Sequence, residues 1–97
     1  MIKHVVCFKM KEGASAQEAK EMLLSMREKE PTALSVEVGI DALRSARSYD
    51  LILIVTLADF EALSCYQTQG YHAKVVKPYM HSVTDTSRSV AVDYLVE

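Results

Sequence analysis

Apolar and polar positions alternate with a period of two over residues 2–10: Ile2, His4, Val6, Phe8 and Met10 share one face, and Lys3, Val5, Cys7 and Lys9 the other. That spacing predicts a strand. A polar loop follows at Lys11–Ala14. Ser15 with Glu18 three residues on is a capping-box signature. It predicts a helix over 16–29, with Ala16, Ala19, Met22, Leu23 and Met26 on one face and Pro31 just past its end. Leu34, Val36, Val38 and Ile40 alternate with Ser35, Glu37 and Gly39, which predicts a second strand with one buried face. Residues 49–57 are apolar almost throughout, as expected of a strand covered on both sides. A helix capped by Asp59 is expected over 58–69, and a second helical stretch over 71–82. In that stretch His72, Val75, Val76 and Tyr79 fall at i, i+3, i+4, i+7, the spacing of a single stripe. Pro78 lies inside it and removes a backbone donor, predicting a kink or an early end. The last strand is expected over 89–96, with Val90, Val92, Tyr94 and Val96 on one face.

The resulting order, β-α-β-β-α-β with the second helix broken, is an α+β ferredoxin-like pattern: an antiparallel sheet with its helices on one face. Two helices cannot cover both faces of the sheet. Yet the third strand is apolar on both, and Val5 and Cys7 add to the uncovered side. An exposed apolar face of that extent is rare on soluble monomers. A homodimer packing sheet against sheet is therefore expected, two-fold dimers being the commonest oligomers.

Composition narrows the function classes. The 97 residues are expected to form one domain, 1–97, with 49% hydrophobic and 25% charged residues and a net charge of −2. No basic cluster gathers on one face, so no nucleic-acid partner is expected. No apolar run approaches the ~20 residues needed to span a bilayer, and the chain opens directly into a strand with no signal sequence. No membrane association and a cytoplasmic location are expected. Cys7 and Cys65 belong to no C-x-x-C motif and read as buried reduced thiols.

Candidate chemistry centres on Tyr66 and His72, six residues apart on either side of Gly70. An unbroken helix turns about 100° per residue and would put them on different faces; a break at Gly70 lets them converge. His4 shares its strand face with Val6 and Phe8, the face assigned to the helices. His4 and His72 can then look across one cavity, walled by Val6, Phe8, Tyr71, Val75 and Tyr79. Imidazole titrates near neutral pH and suits general acid–base work; a tyrosine hydroxyl can hold or polarise a carbonyl oxygen. The alternative is a set of hydrogen-bonded core histidines and a packed tyrosine. No metal site is expected: there is no His-x-x-x-His, paired carboxylate or Cys/His cluster. His72 and His81, nine apart, should face opposite ways, leaving His81 exposed. Arg44 and Arg47 fit a solvated loop, and Asp50 and Asp93 fit ties at strand ends or at the interface.

The segments Ile2–Lys9, Val36–Gly39, Ser48–Leu51, Tyr66 with His72, and Val92–Tyr94, taken in order, resemble the stress-responsive A/B barrel domain family of the dimeric α+β barrel superfamily. The resemblance covers nearly the whole chain. It implies ferredoxin-like protomers whose sheets join into a barrel at a dimer interface, and no cofactor. A plant member of the family closes a linear polyketide by intramolecular aldol condensation, using a tyrosine, a histidine six residues later and a histidine in the first strand. Tyr66, His72 and His4 fall on those positions, so the resemblance implies catalytic roles for them. Where the enzyme-like segment has His-Pro, this chain has Gln69-Gly70. The expectation is thus a homodimer with a small apolar pocket in each protomer. It either binds a small apolar carbonyl ligand, or performs cofactor-independent proton transfer on a polyketide-like carbonyl compound, or is a purely structural dimer with a filled interior.

Overall fold

The computed structural model describes all residues, 1–97. Its strands are β1 (Ile2–Phe8), β2 (Ser35–Ile40), β3 (Leu51–Leu57) and β4 (Val90–Leu95). They form one antiparallel sheet in the order β2-β3-β1-β4, the ferredoxin-like arrangement. Each strand is shorter than its apolar pattern, because pairing partners run out at the ends; Met10 survives only as an isolated bridge to Thr84.

The helices are α1 (Ala16–Leu24), α2 (Met26–Lys29), α3 (Phe60–Thr68) and α4 (Lys77–Val83). Ser15 caps α1 by accepting from the Glu18 N–H at 3.1 Å, and Asp59 caps α3 by accepting from the Ala62 N–H at 2.8 Å. Such caps satisfy N–H groups that have no acceptor inside the helix. The expected single helix over 16–29 is interrupted at Ser25, whose hydroxyl donates to the Met22 carbonyl and meets the Tyr71 hydroxyl at 2.7 Å. Back-bonding of this kind bends helices. None of the helices is long and apolar enough to cross a membrane.

Pro78 does not end the last helix. A π-helical turn over His72–Val76 precedes it, with the Lys77 N–H bonded to the His72 carbonyl. The wider turn accommodates the missing N–H of proline and moves the crowded carbonyl away from its ring. It also delays the helical phase. Val76 and Met80 are buried at 0% and 3% exposure, whereas Val75 is 42% exposed, so the expected stripe of His72, Val75, Val76 and Tyr79 is corrected: Val76 keeps its place, Val75 turns out and Met80 enters the core.

The register decides the two faces. Ile2, His4 and Val6 of β1 and Leu51, Leu53, Val55 and Leu57 of β3 point towards the helices and are buried. They pack on Ala19, Leu23, Met26, Leu63, Tyr66, Val76 and Met80. Each large apolar side chain in such a core contributes roughly 1.5–3 kcal/mol. The opposite face carries Val5, Cys7, Ile52, Ile54, Val90, Val92 and Tyr94, with no element of the chain over it. On β4, Val90, Val92 and Tyr94 are 48%, 62% and 45% exposed. Cys7 and Cys65 are free and half-buried rather than fully buried.

Candidate functional site

The break between α3 and the π turn is built around Gly70, whose φ is +76°, a left-handed conformation that costs other residues strain. Glu30, at the end of α2, lies against it. A Cβ at position 70 would stand 3.4 Å from Glu30 Oε1. The Glu30 carboxylate, only 3% exposed, accepts from the Thr32 hydroxyl at 2.6 Å, the Thr32 N–H at 3.2 Å and the His72 N–H at 2.8 Å. Burial would raise its pKa, but these hydrogen bonds outweigh it and hold the carboxyl below its ordinary range. An anion thus pins the backbone of His72 where the chain turns back into a helix.

That junction brings three aromatic rings into series. The His72 ring stacks on Tyr66 with centroids 3.9 Å apart and planes 11° from parallel. Tyr66 and His4 meet in a T-shaped arrangement, with centroids 5.8 Å apart. His72 Nδ1 lies 2.9 Å from the Tyr66 carbonyl, which can only accept, so Nδ1 carries the proton and Nε2 presents a lone pair. Burial pushes the His72 pKa down to about 4, against the pull of that carbonyl, so the ring is neutral at physiological pH. Tyr66 is fully buried and its hydroxyl has no hydrogen-bond partner. Burial, with the nearby Glu30 charge, pushes the phenol pKa up and keeps it protonated.

His4, 7% exposed, contacts Asp93 through Nδ1 and Oδ1, in the register that sets His4 opposite Asp93 on β4. A carboxylate on Nδ1 fixes the tautomer and leaves Nε2 as the working nitrogen.

His4 and His72 open onto one cavity of about 190 Å³. Its apolar surface comes from Val6, Phe8, Leu23, Leu53 and Met80. Gln67, Lys77, His81 and Ser89 complete it on the more exposed side. Val6 and Phe8 therefore stand where the strand pattern put them. Tyr71, Val75 and Tyr79 do not: the two tyrosines line a separate surface groove beside Met22 and Lys29, and Val75 faces out. Tyr66 is not on the cavity wall either; it sits behind it, between the two imidazoles. The opposed orientation expected for His72 and His81 is also corrected. The π turn advances less per residue than an α turn, and His81, though exposed, borders the same cavity.

Asp93, expected as a tie at a strand end or at the interface, contacts His4; it is the lone charge in the apolar run Val90–Leu95. Two residues were missed by the sequence reading, Glu30 and Lys77, which left no signal because each acts through a contact made only by the folded chain. Asp50 does tie a strand end, accepting from the Met10 N–H at 2.7 Å and from Arg44 at 2.8 Å.

The model for the stress-responsive A/B barrel domain matches residues 2–96. No curated protein matches the sequence significantly. Among solved structures, a dimeric ferredoxin-like protein from Bacteroides fragilis is similar with a TM-score of 0.77 and 18% identity, over 98% of this chain and 95% of the other. A Dabb-family protein from Mesorhizobium loti gives 0.73 and 18%, over 99% and 96%. The hydroxynitrile lyase of Passiflora edulis gives 0.75 and 12%, over 99% and 93%. At these identities the likeness is one of fold.

Proposed function

The chain belongs to the stress-responsive A/B barrel domain family, and from that premise we propose that it works as a homodimer in which each protomer holds a small, mostly apolar carbonyl compound between His4 and His72. One observation carries the pocket: two imidazoles with their Nδ1 atoms already engaged open onto a cavity walled in part by Val6, Phe8, Leu23, Leu53 and Met80. Their free Nε2 atoms present lone pairs, which accept from a ligand hydroxyl or face the acidic C–H beside its carbonyl, the usual division of labour in small-molecule sites. The cavity is not much larger than the ~150 Å³ that takes up benzene in an engineered protein core, so a single-ring compound fits better than an extended chain. The bare face of Val5, Ile54, Val92 and their neighbours supports the dimer, as does the dimeric state of the Bacteroides fragilis neighbour.

A second function, acid–base catalysis, is favoured by the His4–Asp93 contact. A carboxylate behind Nδ1 orients the imidazole and stabilises the imidazolium that forms when Nε2 takes a proton. His72, kept neutral by burial, serves as a hydrogen-bond acceptor that positions the substrate. Tyr66 holds His72 by stacking.

Nuclear magnetic resonance titration with benzaldehyde and acetophenone tests both. Shifts confined to His4, His72 and the apolar wall are expected. Shifts scattered over the surface, or none, refute the pocket. Deuterium exchange at the acetophenone methyl should depend on His4 and fall at least about a hundredfold in His4→Ala, the usual contribution of a general base. Exchange that is absent in the wild type, or unchanged in the variant, leaves binding alone.

A further inference from the structure

The exposed side of the cavity is polar in a one-sided way. Lys77 is half-buried there, and its ammonium donates to the Gln67 carbonyl at 2.8 Å. That carbonyl is neutral and occupies one of three N–H donors. The ion pairs of the molecule join His4 to Asp93, Arg44 to Asp41 and Asp50, and Arg88 to Asp85; none includes Lys77. His81 borders the cavity beside it. No carboxylate is among the lining residues: Asp93 is engaged by His4, and Glu30 by Thr32 and the His72 N–H. A half-buried ammonium without a counter-charge is unfavourable and normally finds one. Here the unfilled place beside it is the cavity itself. Ser89 and the Gln67 side chain add neutral groups on the same side.

We infer that the ligand is a small monocarboxylate, with its apolar body on Leu23, Leu53 and Met80 and its carboxylate at Lys77 and His81. The inference rests on the pocket proposed above and narrows its ligand class: the compound's far end is an anion, held at the more exposed side, while its ring reaches inward to the two imidazoles. Depth and charge then select together. A neutral ring compound meets the apolar surface but leaves Lys77 uncompensated, and a small inorganic anion meets Lys77 but leaves the apolar surface empty.

Benzoate and benzamide are a suitable pair of probes, nearly identical in shape and differing in charge. Calorimetric and resonance titrations of the wild-type protein should show benzoate binding at least about tenfold tighter, since hydrogen bonds to charged groups are the strong ones. Lys77→Met should abolish that preference, with an unchanged circular dichroism spectrum showing that the variant is folded. Lys77→Arg should keep the preference. Equal affinities in the wild type, or a preference that survives Lys77→Met, overturn the assignment while the pocket stands. If neither probe moves the His4 and His72 resonances, the pocket falls and this inference with it.

Discussion

Removing the Tyr66 hydroxyl should not destabilise the protein, although the residue is fully buried. In Tyr66→Phe the ring remains, so its stacking on His72 at 3.9 Å and its edge contact with His4 are kept. What is lost is a hydroxyl with no partner. A buried tyrosine with a made hydrogen bond contributes about 0.5–1.5 kcal/mol through it, whereas an unmet hydroxyl costs about 1–3 kcal/mol in lost hydration. Allowing for the small void left behind, the variant should be more stable by about 1 kcal/mol. In a domain of this size that is a rise in Tm of roughly 4–8 °C. Urea denaturation followed by circular dichroism, at matched protein concentration, gives the free energy, and an unchanged slope shows that the two states are comparable. The sign with pH is a second check. The folded-state phenol pKa lies above its ordinary value of 10.0, so the folded protein holds that proton more tightly than the unfolded chain. Wild-type stability from this group is complete below pH 10 and declines as pH rises beyond it. The phenylalanine variant has no such loss, so its advantage should widen in alkali. A variant destabilised by 1 kcal/mol or more would show that the hydroxyl has a partner and that the buried-orphan assignment is wrong.

Other consequences are open to measurement. The His72 pKa of about 4 lies below its ordinary 6.5, so the unfolded chain takes up a proton first as pH falls, and stability should be lost between those values. The full shift corresponds to about 3 kcal/mol, reduced to about 2 by partial exposure of the ring; His72→Gln should flatten the curve of denaturation midpoint against pH in that window. Loss below pH 4.5, where Glu30 is protonated in the unfolded chain, should persist in that variant. Gly70→Ala should cost about 1–2 kcal/mol, because position 70 is left-handed; an unaffected midpoint would refute the junction described here. Light scattering should give twice the 10.8 kDa chain mass. Ile54→Lys, which places a charge at the centre of the bare sheet face, should yield monomers, and a monomeric wild type would remove the basis for the dimer.

The strands and the two faces of the sheet were legible because a period of two survives folding unchanged: the alternation of His4, Val6 and Phe8 and of Val90, Val92 and Tyr94 is seen in the register. The convergence of Tyr66 and His72 followed from a break at Gly70, a local property of glycine. The phase of the last helix was not legible. One π turn before Pro78 moves Val75 out, Met80 in and His81 round to the cavity, and a pattern read at 3.6 residues per turn has no means of registering it. Nor was the support of the site. Glu30 is 42 residues from His72 and Asp93 is 89 from His4. Such partnerships belong to tertiary packing, and only the oddity of one acid in an apolar strand hinted at the second.

The place of Asp93 on β4 ties two properties of the protein together. That strand is one of the two edges of the sheet, paired on one side only. Its upper surface props the imidazole of His4, while Val92 and Tyr94, the neighbours of Asp93, project from its underside. A ribbon so placed is steadied from below by whatever mates with that underside. Dilution past the point where the two copies of the proposed dimer part would then slacken the prop as well, and ligand affinity at the proposed pocket would decline with protein titre.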